Sequence, residues 1–110
     1  MSDPTVEIRK APEDNRFEIL VDGERAGLAA YRDRGSQRVF HHTEVAPEYG
    51  GRGLATQLVS RALATTIGEG MRIVPVCPLV AKYVRTHEEL AADADPATGD
   101  VLAWLEDELG

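Results

Sequence analysis

Cysteine occurs once in the 110 residues. That excludes an internal disulfide framework and fits a reducing, cytoplasmic setting. No apolar run opens the chain, which begins MSDPTVEIRKAPEDN, so a secretory leader is not expected, and no segment suits a bilayer span. A basic footprint is missing as well: Lys and Arg total 12 against 19 Asp and Glu, a formal net charge of −7. This argues against nucleic acid as a partner. The shortage of positive charge is local. Residues 91–110 hold six acids (Asp93, Asp95, Asp100, Glu106, Asp107, Glu108) and no Lys or Arg, whereas the rest carries 13 acids against 12 bases. A solvated acidic end is the simpler reading, and a cationic partner or an amine substrate is the other. Zinc-ligand spacing is absent. His41 and His42 are strand neighbours expected to point to opposite faces, and His87 is distant in sequence, so no metal is expected.

At 43% hydrophobic and 28% charged residues, the chain is ordinary material for one globular domain with one core. Val6–Arg9 alternates and reads as a short strand; Phe17–Gly23 is a stronger one, with Phe17, Ile19 and Val21 on one face. Asp22-Gly23 is a hairpin signal, returning through Arg25–Tyr31. RDRGSQ is a polar turn, and Arg38–Val45 is a fourth strand ended by Pro47. The period then changes to three and four residues through Leu54, Leu58, Val59, Ala62, Leu63 and Ile67, which predicts an amphipathic helix over 52–68. Met71–Cys77 is a further strand and Leu79–His87 a second helix. AADADPATGD reads as a linker, and Val101–Leu109 as a short helix. Trp104 on that helix is expected to dock on its own body or on a second chain. A meander followed by strand, helix and strand implies a mixed α+β fold whose last pair is parallel.

Between the fourth strand and the first helix lies EVAPEYGGRGLATQLV, residues 44–59. Gly50, Gly51 and Gly53 allow close approach to the main chain, and the first N–H groups of the helix lack partners within it. With the positive end of the helix dipole, these make an anion site. The spacing fits neither a P-loop nor a G-x-G-x-x-G fingerprint. It closely resembles the coenzyme A pyrophosphate loop of the GNAT superfamily of N-acetyltransferases, [QR]-x-x-G-x-[GA], here Glu48-Tyr49-Gly50-Gly51-Arg52-Gly53, with Glu48 departing from the first position. His42–Val45 (HTEV), G-x-G-L-A-x-x-L, Ile73–Pro78 (IVPVCP) and Tyr83–His87 (Y-V-x-x-H) resemble the very small single-domain GNAT-like proteins with a cysteine-proline pair after the fifth strand. The likeness covers about residues 17–90. Leu79 stands where an aromatic is common, and HEEL replaces His-Pro-Glu-aromatic. On this basis residues 1–90 form a GNAT-like acetyl-CoA-binding domain, and 91–110 an acidic linker with a short helix.

The resemblance implies acetyl transfer from acetyl-CoA to a small amine or a protein lysine. It implies a pantetheine arm inserted where strands 38–45 and 71–77 splay apart, bonded to main chain near Val45. Coenzyme binding then falls to Val45, Gly50, Gly51, Arg52, Gly53, Leu54 and Ala55, with Arg85, Lys82 and Arg52 as candidate phosphate partners. A lysine-like amine of pKa near ~10.4 is almost wholly protonated at neutral pH, and reversing that costs roughly 4–5 kcal/mol. A base is therefore required. Glu44, the only carboxylate of its strand before the loop, is the candidate. Tyr83 is the candidate proton donor to the departing thiolate, as tyrosines are in the superfamily. Cys77 precedes Pro78 at a helix start, where thiolates are favoured. It is either an acetyl carrier or a lining residue. A coenzyme-binding module without catalysis is the competing class.

Overall fold

The computed structural model describes residues 4–110. Five strands, β1 (Val6–Ala11), β2 (Arg16–Val21), β3 (Glu24–Arg34), β4 (Gln37–Val45) and β5 (Arg72–Pro75), form one sheet in sequence order. The first three pairings are antiparallel and β4–β5 is parallel. Helix α1 (Leu54–Gly68) makes the crossover, α2 (Pro78–Thr86) follows β5, and α3 (Gly99–Leu109) ends the chain. This is the mixed α+β arrangement expected, with three local differences. The RDRGSQ turn shrinks to Gly35-Ser36, because β3 and β4 pair as far as Arg34↔Gln37. Strand β5 is shorter than Met71–Cys77. Finally, Glu88–Asp93 coils as a 3-10 helix, and the segment beyond it is docked against β5.

Turn chemistry fixes the meander. Asp22 (φ 50°) and Gly23 (φ 85°) both take positive φ, the hairpin geometry that matches strand twist. The Asp22 carboxylate accepts from the Thr5 N–H at 2.9 Å. One face of the sheet, the front, carries Phe17, Ile19, Val21, Ala29, Tyr31 and Phe40 against Leu54, Leu58, Val59, Ala62 and Leu63 of α1. Aromatics are only 5% of the chain, yet three of them form one cluster. Phe17, Tyr31 and Phe40 have ring centroids 5.5–6.2 Å apart, a geometry that adds to their area burial. On the back face Val101 and Leu105 of α3 pack on Val39 and Val74, with Trp104 beside them. The Trp104 ring lies under the Arg34 guanidinium at 5.7 Å. So α3 docks on its own sheet, and Thr98 caps it by accepting from the Val101 N–H.

The acidic stretch before α3 is tied down. Ala94 bridges Ile73 in parallel fashion, and the Asp95 N–H donates to the Ile73 carbonyl at 2.7 Å. Gln37 Nε2 (2.9 Å) and Arg72 Nε (2.8 Å) donate to the Asp95 carboxylate. Arg38, only 2% exposed, is the largest fully buried side chain. It lies over the Tyr31 ring at 4.6 Å and donates to Asp33 (2.8 and 3.1 Å) and to Glu69 (3.1 Å) at the end of α1. Lys10 joins Glu69 at 2.8 Å. Burying this guanidinium is tolerated because its donors are taken up.

These ion pairs make the fold acid-sensitive. Hydrogen bonds from Lys10 and then Arg38 hold the Glu69 carboxyl below the usual range. Gln37 and Arg72 do the same for Asp95. Groups depressed on folding stabilise above the unfolded carboxyl pKa of ~4 and lose that contribution as pH falls through the folded value. The urea midpoint should therefore drop below about pH 4. Arg38→Ala should cost ~3 kcal/mol at pH 7. It should also fall less than the parent between pH 7 and pH 3, since part of the linkage has gone; urea unfolding at both pH values checks this.

Candidate active site

Parallel pairing of β4 with β5 runs from Gln37↔Arg72 to Phe40↔Pro75 and stops. The Phe40 carbonyl accepts from both the Val76 N–H (3.0 Å) and the Cys77 N–H (2.8 Å), so the chain turns away from β4 at that point. Pro78, lacking an N–H and set at the first position of α2, prevents the strand from resuming. Strand β4 continues along β3 to Val45, so the two parallel strands open as a fork. The Ala46 N–H donates to the Ala26 carbonyl at 2.8 Å. Antiparallel residues alternate the edge they present, so Thr43 and Val45 direct their main-chain groups into the fork. That is where a ligand chain can add itself to β4, at the position expected near Val45.

A bulge decides which side chains face which way. Pairing shifts from Ala30↔His42 to Tyr31↔Phe40, leaving His41 as the extra residue. Phe40 faces α1, but beyond the bulge it is Thr43 and Val45 that lie on the front. Cys77 Sγ–H donates to Thr43 Oγ1 at 3.5 Å across the fork, and Val45 packs on the front core. His42 and Glu44 are on the back, with Nε2 and Oε2 3.3 Å apart and side chains 56% and 60% exposed. Cys77 and Glu44 thus flank the fork from opposite faces; the structure does not bring them together on one side. Cys77 itself is buried. His41 is half-buried, and burial, then Arg32, then His42 hold its ring below the usual histidine range.

The loop after β4 is set by two glycines. Gly51 (φ 78°) and Gly53 (φ 71°) occupy the left-handed region, and a Cβ on either would meet no atom within 4 Å. Main chain is therefore exposed to open space at the mouth of α1. Gly50 is different: its φ is −62°, and its N–H donates to the Pro47 carbonyl at 3.0 Å. The first bond into α1 is from the Gln57 N–H to the Gly53 carbonyl, 3.2 Å. The N–H groups of Leu54, Ala55 and Thr56 precede it and are available to an anion. The Leu54 side chain is buried, so only its main chain can serve that role. Arg52 lies over the Tyr49 ring at 5.4 Å, and the Tyr49 hydroxyl donates to Glu24 Oε2 at 3.3 Å, which ties the loop to the β2–β3 hairpin.

Between α1 and α2 runs a cleft of about 200 Å³. Thr56 and Val59 line one wall; Leu79, Lys82, Tyr83, Thr86 and His87 line the other. Tyr83 and His87 stack at 3.8 Å, and His87 Nδ1–H donates to the Tyr83 carbonyl at 2.8 Å. Lys82 lines the cleft, whereas Arg85 is exposed and outside its lining. In the sequence Thr43 and His87 stand out only as members of the HTEV and Y-V-x-x-H motifs, and Thr56 carries no signal of its own. Val59 carries a helix-face signal, but the place of Thr43 depends on the bulge. Among the described residues, no group of three His, Cys, Asp or Glu is placed to hold a metal. Nor is any helix among them long and apolar enough to cross a membrane.

Comparison with known proteins bears on the fold and the family. No curated protein matches the chain. An NMR structure of a GCN5-like candidate N-acetyltransferase from Staphylococcus aureus superposes with a TM-score of 0.63 at 18% identity. The match covers 84% of this chain and 91% of that one. At that identity the likeness speaks for the fold. A family model described as GCN5-related N-acetyl-transferase matches residues 16–94, running from β2 through the segment docked on β5. The chain belongs to the GCN5-related N-acetyltransferase family.

Proposed function

We propose that this protein transfers an acetyl group from acetyl-CoA to an amine. The observation that carries the reading is the continuity of three features. The fork exposes the Thr43 and Val45 main chain, the α1–α2 cleft is lined by Leu79, two residues after Cys77, and by Thr56 in the first turn of α1, and the glycine loop presents free N–H groups at the start of that helix. Their chemistry suits a long ligand with a peptide-like arm and an anionic head. Gly51, Gly53 and the first turn of α1 would hold the diphosphate, with Lys82 beside it. The arm would pair with β4 at Val45, and the thioester would lie in the fork against Cys77 and Thr43. Acetyl-CoA supplies the activated acyl carbon.

The residues then divide the proton traffic between two faces. The acceptor comes from the back of the sheet, where Glu44 takes the ammonium proton and leaves a nucleophilic amine. As nitrogen bonds to the acyl carbon and the carbon–sulfur bond breaks, Tyr83, on the coenzyme side, gives its proton to the departing sulfur. The nitrogen then sheds its second proton to the adjoining His42, or to Glu44 once that carboxyl has passed its first proton to solvent. Cys77 shields the thioester on the front. Direct transfer is favoured over an acetyl-cysteine route, because Cys77 and the proposed base lie on opposite faces.

Two outcomes test this reading. CoA should raise the melting temperature, and Gly53→Ala should weaken CoA binding at least about tenfold while costing only ~1–2 kcal/mol of stability, the penalty of a left-handed alanine. Equal CoA affinity in parent and variant would remove the loop from the site. In acetylation assays, Glu44→Gln should lower kcat by ~10²-fold or more with CoA affinity retained. Intact-mass measurement after incubation with acetyl-CoA alone should show no retained acetyl group. An acetyl group on Cys77 would replace direct transfer with a two-step route, and binding without any transfer would leave a coenzyme-binding module.

A further inference from the structure

The back face of the sheet, beyond α3, carries an arrangement that the coenzyme does not use. Strand register places Arg9, Glu18, Leu28 and Glu44 in one row of successive cross-strand partners. The neighbouring row is Arg16, Ala30 and His42. Each row is cationic on the β1–β2 side, small or apolar in the middle and His or carboxylate at the fork.

The cationic end is built around one carboxylate. Glu18, with a side chain 5% exposed, accepts from Arg9 (2.9 Å) and Arg16 (2.8 Å), while Arg25 Nη1 stands 3.6 Å away. Burial pushes the Glu18 carboxyl up, but the hydrogen bonds and charges of Arg9 and Arg16 outweigh it and keep the group ionised. The hollow around them is lined by four cations, Arg9, Lys10, Arg16 and Arg25, against three carboxylates, Glu13, Asp14 and Glu18, and the three guanidiniums carry more N–H donors than Glu18 can accept. Asp14 reaches Arg16 only at 4.0 Å, and Glu13 forms no ion pair there within 4 Å among the described residues. Arg25 is the least engaged of the three and is 49% exposed. It also lines a second hollow of about 240 Å³, bounded by Gly27, Leu28, Glu44 and Pro47. Arg25 therefore joins the cationic hollow to the carboxylate at the fork.

We infer that this groove is the acceptor site and that it selects a primary amine bearing an anionic group, with the amine at Glu44 and the anion at Arg25. This rests on the acetyltransferase reading. Arg25 lies three residues along β3 from Leu28, the cross-strand partner of Glu44, roughly 10 Å at ~3.3 Å per residue, a span that a chain of about five methylenes covers with a hydrogen bond at each end. Leu28 and Gly27, which line the hollow between the two ends, provide the floor for those methylenes. A guanidinium offers a carboxylate or phosphate two parallel donors, which a simple alkylamine would not use.

The test compares ε-aminocaproate with n-hexylamine, equal in length but lacking the carboxylate. The parent protein should use ε-aminocaproate with a kcat/KM about tenfold or more above hexylamine. Arg25→Gln should shrink that ratio by raising KM for ε-aminocaproate, and Arg25→Lys should restore part of it. Equal use of both amines by the parent, or equal slowing of both by Arg25→Gln, overturns the assignment. Failure to acetylate either amine would instead count against the transferase reading. The groove is then judged by amide chemical shifts on titration with ε-aminocaproate. Changes at residues 25–28 and 42–45 that hexylamine does not cause retain it as a binding site, and their absence removes it.

Discussion

One carbonyl organises this molecule. The Phe40 oxygen takes two N–H groups, those of Val76 and Cys77, where a regular parallel ladder would supply one before moving on. That doubled acceptance ends β5, points the chain into Pro78 and α2, and leaves the outer half of β4 paired on one edge only. Unsatisfied main-chain edges are normally a liability. Here the open edge lies between two helices and leads to a glycine-lined helix start, so the gap has the form of a binding site.

The bulge at His41 gives that gap two distinct sides. Without it, strict alternation from Phe40 would carry Glu44 to the α1 face and Thr43 to the back. The additional residue exchanges them. Thr43 and Cys77 meet on the front, beside the α1–α2 cleft, and His42 with Glu44 faces outward on the back. Helix α3 covers the back only at the closed end, over Val39 and Val74. A donor and an acceptor could then reach the same point from opposite faces without competing for space.

Much of this is legible in the residues. The 2-to-3.6 change of period at residue 52 gives the meander and crossover, and Gly51 and Gly53 sit where positive φ is needed. Cys77-Pro78 marks the end of β5, although the strand stops two residues earlier than its apolar run. What could not be read depends on long-range pairing. The bulge leaves no mark in His41-His42, because two adjacent histidines fit a regular strand as well. Arg9, Arg16 and Arg25 are scattered among acids in the sequence, and only the register of three strands collects them around Glu18. Likewise AADADPATGD has the composition of a linker. Its docking comes from the Ile73 main chain and from Gln37 and Arg72, all more than twenty residues before the segment they hold.

That docked segment also closes off a hazard. An open sheet ends in two strands whose outer groups can recruit the same edge of another molecule. Strand β5 is apolar at Ile73 and Val74, which would make it an adhesive border. Ala94 and Asp95 lie along it instead, using the Ile73 carbonyl and setting a carboxylate beside it. The opposite border, β1, is guarded differently, by Glu7, Arg9 and Lys10 in a six-residue strand. The acidic arm thus works as a sleeve on the vulnerable margin of the sheet, and a chain cut after the second helix would be expected to self-associate.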